Sequence, residues 1–239
     1  MRQRISTYLS ESRDLTTSFI LVLPLFVVYQ LGILATGGVR NGVDFMSNLL
    51  FLAADHQFWH YVGLNLGLLA AFSVAAYLLH RRNAVELGVW PWVVVESTVY
   101  ALSLGTVVLS LMRNLGLTEI LASGGLGDGS LYDQLILSLG AGIYEEIVFR
   151  LFLTGGLFVA ADRFFGWSKW LAAALAVGLS SLFFSAVHYV GPLGEAFALD
   201  SFVFRFLAGA LLAVIFYVRG FAVAVYTHAI YDIYVTVLS

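Results

Sequence analysis

The sequence predicts an all-α polytopic membrane protein, folded as a bundle of about seven transmembrane helices (six to eight). Of its 239 residues, 60% are hydrophobic and 11% are charged, and the mean hydropathy is +0.90. An ordinary soluble domain is about 25% charged. The apolar residues also form successive runs of about 20, the length that a helix needs to cross a bilayer. A chain of this length suits one bundle, so we expect a single membrane-embedded domain over residues 1–239.

The charge and the cysteine content exclude several classes of protein. The net charge is −3 and no basic stripe is visible, so nucleic acid is not an expected partner. The chain has no cysteine, which excludes disulfides, thiolate catalysis and cysteine metal sites. Its compactness and its lack of a targeting extension favour a prokaryotic inner membrane, with the lipid bilayer as its surroundings.

The first three spans follow from apolar runs with polar flanks. Residues 1–15 are polar, and the run 16–36 is longer than the apolar core of a signal peptide, so we interpret it as an uncleaved span. In the mixed stretch that follows, we expect 45–53 to lie along the membrane interface. The second span is 58–79. A Trp-Pro-Trp sequence opens the third, 90–112, because tryptophan favours the headgroup level and proline the first turn of a helix.

The C-terminal half predicts four further spans with short connections. A glycine-containing loop at 113–130 precedes them, a polar turn at 162–169 separates the first two, and Arg219-Gly220 leaves a very short turn before the last. The predicted spans are 131–161, 170–190, 201–218 and 221–238. We see no internal repeat and no linker that would indicate a second domain.

The basic residues of the connections predict the orientation. With the N-terminus in the cytoplasm, eight lysines and arginines fall on that side: Arg2, Arg4, Arg13, Arg81, Arg82, Arg163, Lys169 and Arg219. The opposite side has two, Arg40 and Arg113. Because short cytoplasmic loops carry the excess of lysine and arginine, we expect the N-terminus inside and the C-terminus outside.

Two adjacent glutamates, Glu145 and Glu146, interrupt the apolar fourth span. Ionised groups at this depth are costly and usually face a bundle interior or a wet cavity. Arg150 lies four residues after Glu146, on the same helix face, and can hold it ionised. Glu145 is rotated by about 100° and is less well placed for this arginine. An unpaired carboxylate at a low-dielectric site binds a proton more strongly, and this greater basicity is what a general base needs near neutral pH. The alternative is an intrahelical salt bridge with a spare glutamate, needed only for packing.

Two histidines on later spans add polar groups. His188 lies near the end of the fifth span, with Phe184 one turn earlier and able to wall the same face. A histidine in this position alone is more often a hydrogen-bonded interfacial residue than a catalytic one. His228 and Asp232 share a face deep in the seventh span, either as a pair that braces the bundle or as groups aimed into a cavity.

These groups fall on three spans of the same half of the chain. Together, Glu145, Glu146, His188, His228 and Asp232 could hold and activate a water molecule. Hydrolysis, a bound metal ion and a proton relay all fit that inventory. We therefore expect residues 131–239 to be the catalytic half.

Three other features of the sequence each have more than one interpretation. His56 and His60 have the spacing of zinc ligands, but glutamine occupies the position where a zinc protease has its general base, and the pair lies at a span boundary. Arg205 in the sixth span could support the acidic centre or reach the outer interface. Glu96, about one turn inside the third span, could snorkel to the headgroups or form an ion pair.

The residues resemble the ordered motifs of the CPBP intramembrane endopeptidases, also called the CAAX-protease and bacteriocin-processing, or Abi, family. The motifs are Glu145-Glu146-x-x-x-Arg150, Phe184-x-x-x-His188 and His228-x-x-x-Asp232. The resemblance covers about 131–239, nearly the last half of the chain. The last motif ends in asparagine or aspartate in this family, and here it ends in aspartate.

The resemblance implies an intramembrane endopeptidase that hydrolyses a peptide bond with a glutamate-activated water. By this analogy Glu145 is the general base, and His188 helps to hold and polarise the water. His228 and Asp232 would stabilise the oxyanion, with His228 as the donor and Asp232 as its orienter or as a second donor. Glu146 and Arg150 would form the supporting pair. These roles match what general-base and oxyanion chemistry require.

The resemblance also bears on whether a cofactor is expected and on which other functions compete with proteolysis. Two carboxylates and two histidines could bind zinc, but we expect no cofactor, because Arg150 would compete with a divalent cation for Glu146. A metal-dependent protease, a non-catalytic scaffold and a proton-coupled transporter remain alternatives, although a transporter would be expected to show repeats.

The expected substrate is a membrane-associated or exported protein or peptide. Under the predicted orientation the polar groups lie in the middle to outer leaflet, so access from the outer side is expected. Classical CAAX processing acts on a substrate that faces the cytosol and is less expected here.

Overall fold

The computed structural model describes residues 2–35, 50, 52–55, 57–82, 85–117, 130–191 and 194–238. Long helices dominate these segments, which confirms the predicted all-α fold. In order, they are α1 (Arg2–Glu11), α2 (Leu15–Ala35), α3 (Phe58–Arg82), a 3₁₀ turn (Leu87–Val89), α4 (Trp90–Asn114), α5 (Leu131–Glu145), a π-helix (Glu146–Thr154), α6 (Gly155–Arg163), α7 (Lys169–Val187), α8 (Leu199–Arg219) and α9 (Phe221–Leu238).

Within the described segments, five helices are long and apolar enough to cross a membrane, namely α2, α3, α4 (taken together with its 3₁₀ turn), α7 and α8. The apolar part of α9 is shorter, and the predicted fourth span is divided among α5, the π-helix and α6. The chain is therefore a polytopic membrane bundle. The predicted orientation stays a prediction, and the predicted interfacial stretch 45–53 and most of the loop 113–130 fall largely outside the described residues.

Helix α9 lies at the centre of the bundle. Its N-terminal part, 221–229, is buried at every position, and the helix packs against α2, α4, α5, α8 and the π-helix. The contact with α5 is especially close at Gly142, where a Cβ atom would lie 2.7 Å from the backbone nitrogen of Ala229. Small residues allow such close helix contacts in membranes. The acidic pair at the end of α5 is thereby held against the helix that carries His228.

The N-terminal helix is tied to the bundle by an ionic group that we call the anchor cluster: Tyr8, Ser12, Glu96, Tyr100 and Arg219. Arg219 donates from Nε to Glu96 Oε1 at 2.5 Å and from Nη2 to Oε2 at 2.8 Å, and a further bond runs from Nη2 to the Ser12 hydroxyl at 3.1 Å. The hydroxyls of Tyr8 and Tyr100 also donate to Glu96. Burial, reinforced by the bond to Glu96, raises the pKa of Tyr8, so its phenol remains a donor. Of the two roles considered for Glu96, the structure supports the ion pair.

A one-residue turn joins α8 to α9, as the short Arg219-Gly220 connection predicts. Gly220 has φ +97°, a left-handed conformation that favours glycine. A side chain there would also meet Ser12, whose backbone oxygen would lie 2.8 Å from the added Cβ. The turn therefore holds the last two helices together and seats the segment after α1 against them.

Candidate active site

The acidic pair lies where a regular helix gives way to a rarer one. Helix α5 begins with a capping box, in which the side chains of Ser130 and Asp133 each accept from the other's backbone N–H. It ends at Glu145, and the next nine residues, Glu146–Thr154, form a π-helix. Most π-helices are single-turn bulges, and they occur frequently at functional sites. This change of helix type places the two glutamates in different surroundings.

Glu146 is enclosed, and each of its two carboxylate oxygens lies against a nitrogen. Oε1 accepts a hydrogen bond of 2.8 Å from His228 Nδ1. Oε2 lies 3.2 Å from Arg150 Nε, and both side chains are 0% exposed. The N–H of Arg150 is not aligned with Oε2, so this contact is an ion pair and not a hydrogen bond. The predicted Glu146–Arg150 pair is present, and it also holds a histidine from α9.

Glu145 has much looser contacts. Its side chain is 4% exposed, and within the described segments the one ion-pair contact it makes is 3.9 Å, from Oε2 to His228 Nε2. Arg150 is bound instead to Glu146, as the relative rotation of the two glutamates predicted. Glu145 is thus a buried carboxylate close to one imidazole nitrogen and otherwise available to a ligand.

His228 bridges the two glutamates. Its Nδ1 is held by Glu146, which leaves Nε2 facing Glu145 and, at 3.5 Å, Oδ2 of Asp232. Asp232 is more open than the rest of the group, with 23% of its side chain exposed. The contact that orients His228 therefore comes from Glu146, whereas Asp232 lies on the opposite side of the ring, at the open edge of the site. The catalytic roles expected for His228 and Asp232 stay predictions.

Aromatic contacts bring His188 to the same place. His188 follows directly after α7, and its ring centre lies 5.3 Å from that of Phe184, which in turn is 6.0 Å from the His228 ring. The Arg150 guanidinium stacks 4.5 Å above the Phe184 ring and reaches the Gly209 carbonyl oxygen at 3.4 Å. Phe184 thus walls the site between the two histidines, as its spacing predicted.

The hydrogen bond of His188 defines its chemistry. Nδ1 lies 2.8 Å from the carbonyl oxygen of Phe184, which can only accept, so Nδ1 carries the proton. In the neutral ring, Nε2 is then an acceptor. His188 is 8% exposed as a whole residue. Its Nε2 can accept a hydrogen bond from a polar ligand such as water.

The donor arrangement does not fit a bound metal ion. Both oxygens of Glu146 are engaged by Arg150 and His228, and the described segments contain no group of three or more histidine, aspartate or glutamate side chains with metal-binding geometry. Of the alternative pair at the span boundary, His56 and His60, His56 lies outside the described residues.

Arg205 does not enter the acidic centre. Its guanidinium donates to the Tyr189 hydroxyl at 3.0 Å, to the Ser201 hydroxyl at 2.8 Å and to Glu195 at 2.6 Å. Glu195 is 46% exposed, and its backbone N–H donates to the His188 carbonyl oxygen. Of the two roles considered for Arg205, the structure therefore favours a position at one end of the bundle.

All seven predicted site residues are brought together. One chain of polar contacts links Glu145, Glu146, Arg150, His228 and Asp232. Phe184 joins it beneath the Arg150 guanidinium, and His188 meets Phe184 edge-on. Two glycines that permit this arrangement were not singled out from the sequence. Gly142 admits α9, and a Cβ at Gly209 would lie 2.9 Å from Phe184. A small residue four positions from another on the same helix was the available signal.

The buried carboxylates and histidines share one centre of the membrane bundle, with Asp232 at its open edge. Residues 128–234 match the family model described as Rce1-like, type II CAAX prenyl endopeptidase Rce1-like. This match covers a little under half of the chain and agrees with the predicted resemblance to the CPBP, or CAAX-protease, family. No curated protein and no solved structure matches the chain. The matched family is one of CAAX-type endopeptidases, and the long apolar helices of this chain fit a lipid bilayer.

Proposed function

We propose that this protein hydrolyses a peptide bond of a membrane-associated or exported protein with a water molecule activated by Glu145. The observation that carries the proposal is the contrast within the acidic pair. Glu146 has a nitrogen against each oxygen, whereas Glu145 is buried and has one contact, at 3.9 Å from His228. A general base must be within reach of its proton and must not be neutralised by a tight cationic partner.

The reaction follows from these positions. Glu145 takes a proton from water as the water oxygen attacks the carbonyl carbon of the scissile peptide bond. The carbonyl oxygen becomes an oxyanion in the tetrahedral intermediate. When the C–N bond breaks, Glu145 returns the proton to the leaving nitrogen, so the base is regenerated and the products are a carboxylic acid and an amine.

The two histidines have different proposed roles, one on the water and one on the oxyanion. His188 presents an acceptor nitrogen, Nε2, which orients the water by accepting its second proton in a hydrogen bond. His228 presents Nε2 between Glu145 and Asp232. Because Nδ1 is bonded to Glu146, His228 donates from Nε2 to the oxyanion when the ring carries both protons. Removing one oxyanion donor typically costs about 10²–10³ in kcat.

The substrate faces the site at its open edge. Asp232 is the most exposed member of the polar group, so the scissile carbonyl is expected to enter beside it. With the predicted orientation this edge lies in the middle to outer leaflet, which favours an exported substrate. A prenylated C-terminal peptide, the substrate named by the matching family, is the alternative to test beside it.

The chain suits a direct test of this orientation, because it has no native cysteine. Single cysteines at 115–117 and at 194–196 should react with a membrane-impermeant maleimide added from outside intact cells. Labelling that requires cell lysis would place these segments in the cytoplasm and would contradict the proposed access route.

The central experiment compares wild type with Glu145→Gln, His188→Ala and His228→Ala in the membrane. C-terminal peptides of the four membrane proteomes would be compared with and without a chelator, and Glu86→Gln, an exposed glutamate far along the chain, serves as the matched control. We expect a common uncleaved precursor in the three site variants, none in Glu86→Gln, and no effect of the chelator.

Each other outcome points to a different function. Cleavage that stops on chelation would make these side chains metal ligands. Normal expression without a precursor in any site variant would favour the scaffold or the transporter. Cleavage that persists in Glu145→Gln alone would remove Glu145 as the base and leave the rest of the site to be reassigned.

A further inference from the structure

The π-helix is closed by a hydroxyl pair that the catalytic motifs do not include. Thr154, its last residue, has its hydroxyl 2.7 Å from the carbonyl oxygen of Phe149 and 2.8 Å from the hydroxyl of Ser180 on α7. Thr154 is 2% exposed and Ser180 is 0% exposed. Buried hydroxyls are costly unless they are hydrogen-bonded. Here Thr154 has Phe149 and Ser180 as partners, and the Ser180 hydroxyl also lies 3.2 Å from the carbonyl oxygen of Val177.

The spacing on α7 links this pair to the site. Ser180, Phe184 and His188 follow one another at intervals of four, so they occupy one face of the helix. The same face meets the π-helix in order. Ser180 bonds Thr154, and Phe184 packs edge-on against Phe149 at 5.4 Å. His188 then extends the row at the end that carries the glutamates.

Within the described part of the chain, the hydroxyl pair is the one side-chain hydrogen bond between these two segments. Ring contacts such as Phe149–Phe184 tolerate sliding, because aromatic pairs have broad geometric preferences. A hydrogen bond between two short side chains does not tolerate it. The hydrogen bond at Thr154 therefore fixes the register of α7 along the π-helix. That register in turn sets the position of His188 at the other end of the row.

We propose that Thr154 and Ser180 are positioning residues, which hold the nine-residue π-helix and set the separation between Glu145 and His188. This inference rests on the proposed function, because the separation matters only if both groups act on one water. Without the Thr154 bond to Phe149, the segment relaxes toward an α-helix, which rotates α6 and shifts α7 relative to the acidic pair. Misplacement of a reacting group by about 1 Å can cost about 10²-fold in rate.

The test uses four variants of the full chain in lipid nanodiscs: Thr154→Val, Thr154→Ser, Ser180→Ala and the Thr154→Val/Ser180→Ala double. Thr98→Val is the matched control, since the Thr98 hydroxyl also bonds a backbone carbonyl, that of Val94 on its own helix, at 2.8 Å. The probe is the purified precursor that accumulates in the Glu145→Gln strain, and kcat and KM are measured separately.

We expect Thr154→Val to lower kcat about 10- to 100-fold with KM changed less than about threefold. Thr154→Ser, which keeps the hydroxyl, should restore most of the rate. The double variant should be no slower than Thr154→Val, because the two substitutions remove one shared bond. A packing role predicts the reverse order, with Thr154→Val active and Thr154→Ser impaired, and that result would overturn the proposal.

A second readout does not depend on catalysis. Val159 on α6 and Phe183 on α7 are exposed at the bundle surface, and nitroxide labels on cysteines at these positions report the distance between the two helices. We expect the distance distribution to shift or broaden in Thr154→Val and to stay unchanged in Thr98→Val. An unchanged distribution with an unchanged kcat would refute the inference. If Glu145→Gln stays active while the distribution shifts, the proposed function fails and the positioning role of the pair on the fold stands.

Discussion

Two buried ionic groups of this bundle differ in how completely their charges are matched. In the anchor cluster, Glu96 receives bonds from Arg219, Tyr8 and Tyr100, so one carboxylate meets one guanidinium and two hydroxyls. In the site, three carboxylates share one arginine and one directly bonded histidine, and within the described segments the one ion-pair contact of Glu145 is 3.9 Å long.

The comparison teaches that a carboxylate inside a membrane bundle does not by itself indicate chemistry. Glu96 and Glu145 both interrupt apolar spans, and the sequence around each permits either a structural or a catalytic role. The number and closeness of their partners separates them. A fully bonded carboxylate serves the fold, whereas one that lacks a close partner can accept a proton from a ligand.

The strongest way to break this comparison is to neutralise each carboxylate in turn. Glu145→Gln should abolish cleavage, a loss of at least about 10³-fold, and leave thermal stability unchanged, because no close ion pair is lost. Glu96→Gln should retain site chemistry but destabilise the fold by about 3 kcal/mol, because Arg219 would remain mostly buried without its counter-charge. Thermal unfolding in detergent, followed by tryptophan fluorescence, and cleavage of the precursor measure the two effects.

The same stability effect in both variants would show that the two clusters are equivalent supports of the fold. The matched Glu86→Gln variant should change neither quantity, because Glu86 is exposed. If Glu96→Gln abolished cleavage without lowering thermal stability, the catalytic centre would instead lie in the anchor cluster.

A second prediction sharpens the comparison through the backbone that supports the site. Gly142→Ala should destabilise the fold by about 1–3 kcal/mol and reduce cleavage about tenfold, because the new Cβ would press on the backbone of Ala229, next to His228. Gly63→Ala on α3 is the control, since a Cβ there meets nothing within 4 Å. If Gly142→Ala has the same thermal stability and cleavage rate as wild type, the close approach of α5 and α9 is not needed for either property.

The smallest expected effect concerns the open edge of the site. Asp232→Asn keeps the size of the side chain and supplies an N–H donor, so cleavage should fall by less than about fivefold if this position donates to the oxyanion. Asp232→Ala should lose about 10²-fold. Equal and severe losses in both variants would mean that the carboxylate charge of Asp232 is required, for instance to hold His228.

Much of the fold was predictable because the apolar runs and their flanks carry the information. The last span was expected at 221–238 and α9 is Phe221–Leu238, and the first was expected at 16–36 against Leu15–Ala35. Apolar length is a local property that the bilayer imposes. The position of His188 at the end of its helix and the face shared with Phe184 followed from the same periodicity.

The site's inner connections were less predictable, because they depend on partners distant in sequence. Spacing indicated Glu146–Arg150, but no pattern shows that Glu146 also holds His228, 82 positions later. The π-helix has no signature in the sequence, since Glu146–Thr154 reads as ordinary helix-forming residues. Its stability comes from contacts with α7, such as Thr154 with Ser180, which only the assembled bundle provides.

The central place of α9 has a consequence for how the protein is made. Its N-terminal part touches protein on every side, so it needs no lipid-facing stripe and can carry a histidine and a threonine, His228 and Thr227, at buried positions. Although the helix is apolar overall, His228 and Asp232 make its insertion on its own costlier than its apolar residues alone would. Because Gly220 alone joins it to the apolar α8, the two helices would enter the membrane as a hairpin, and α9 would then exchange lipid for protein neighbours.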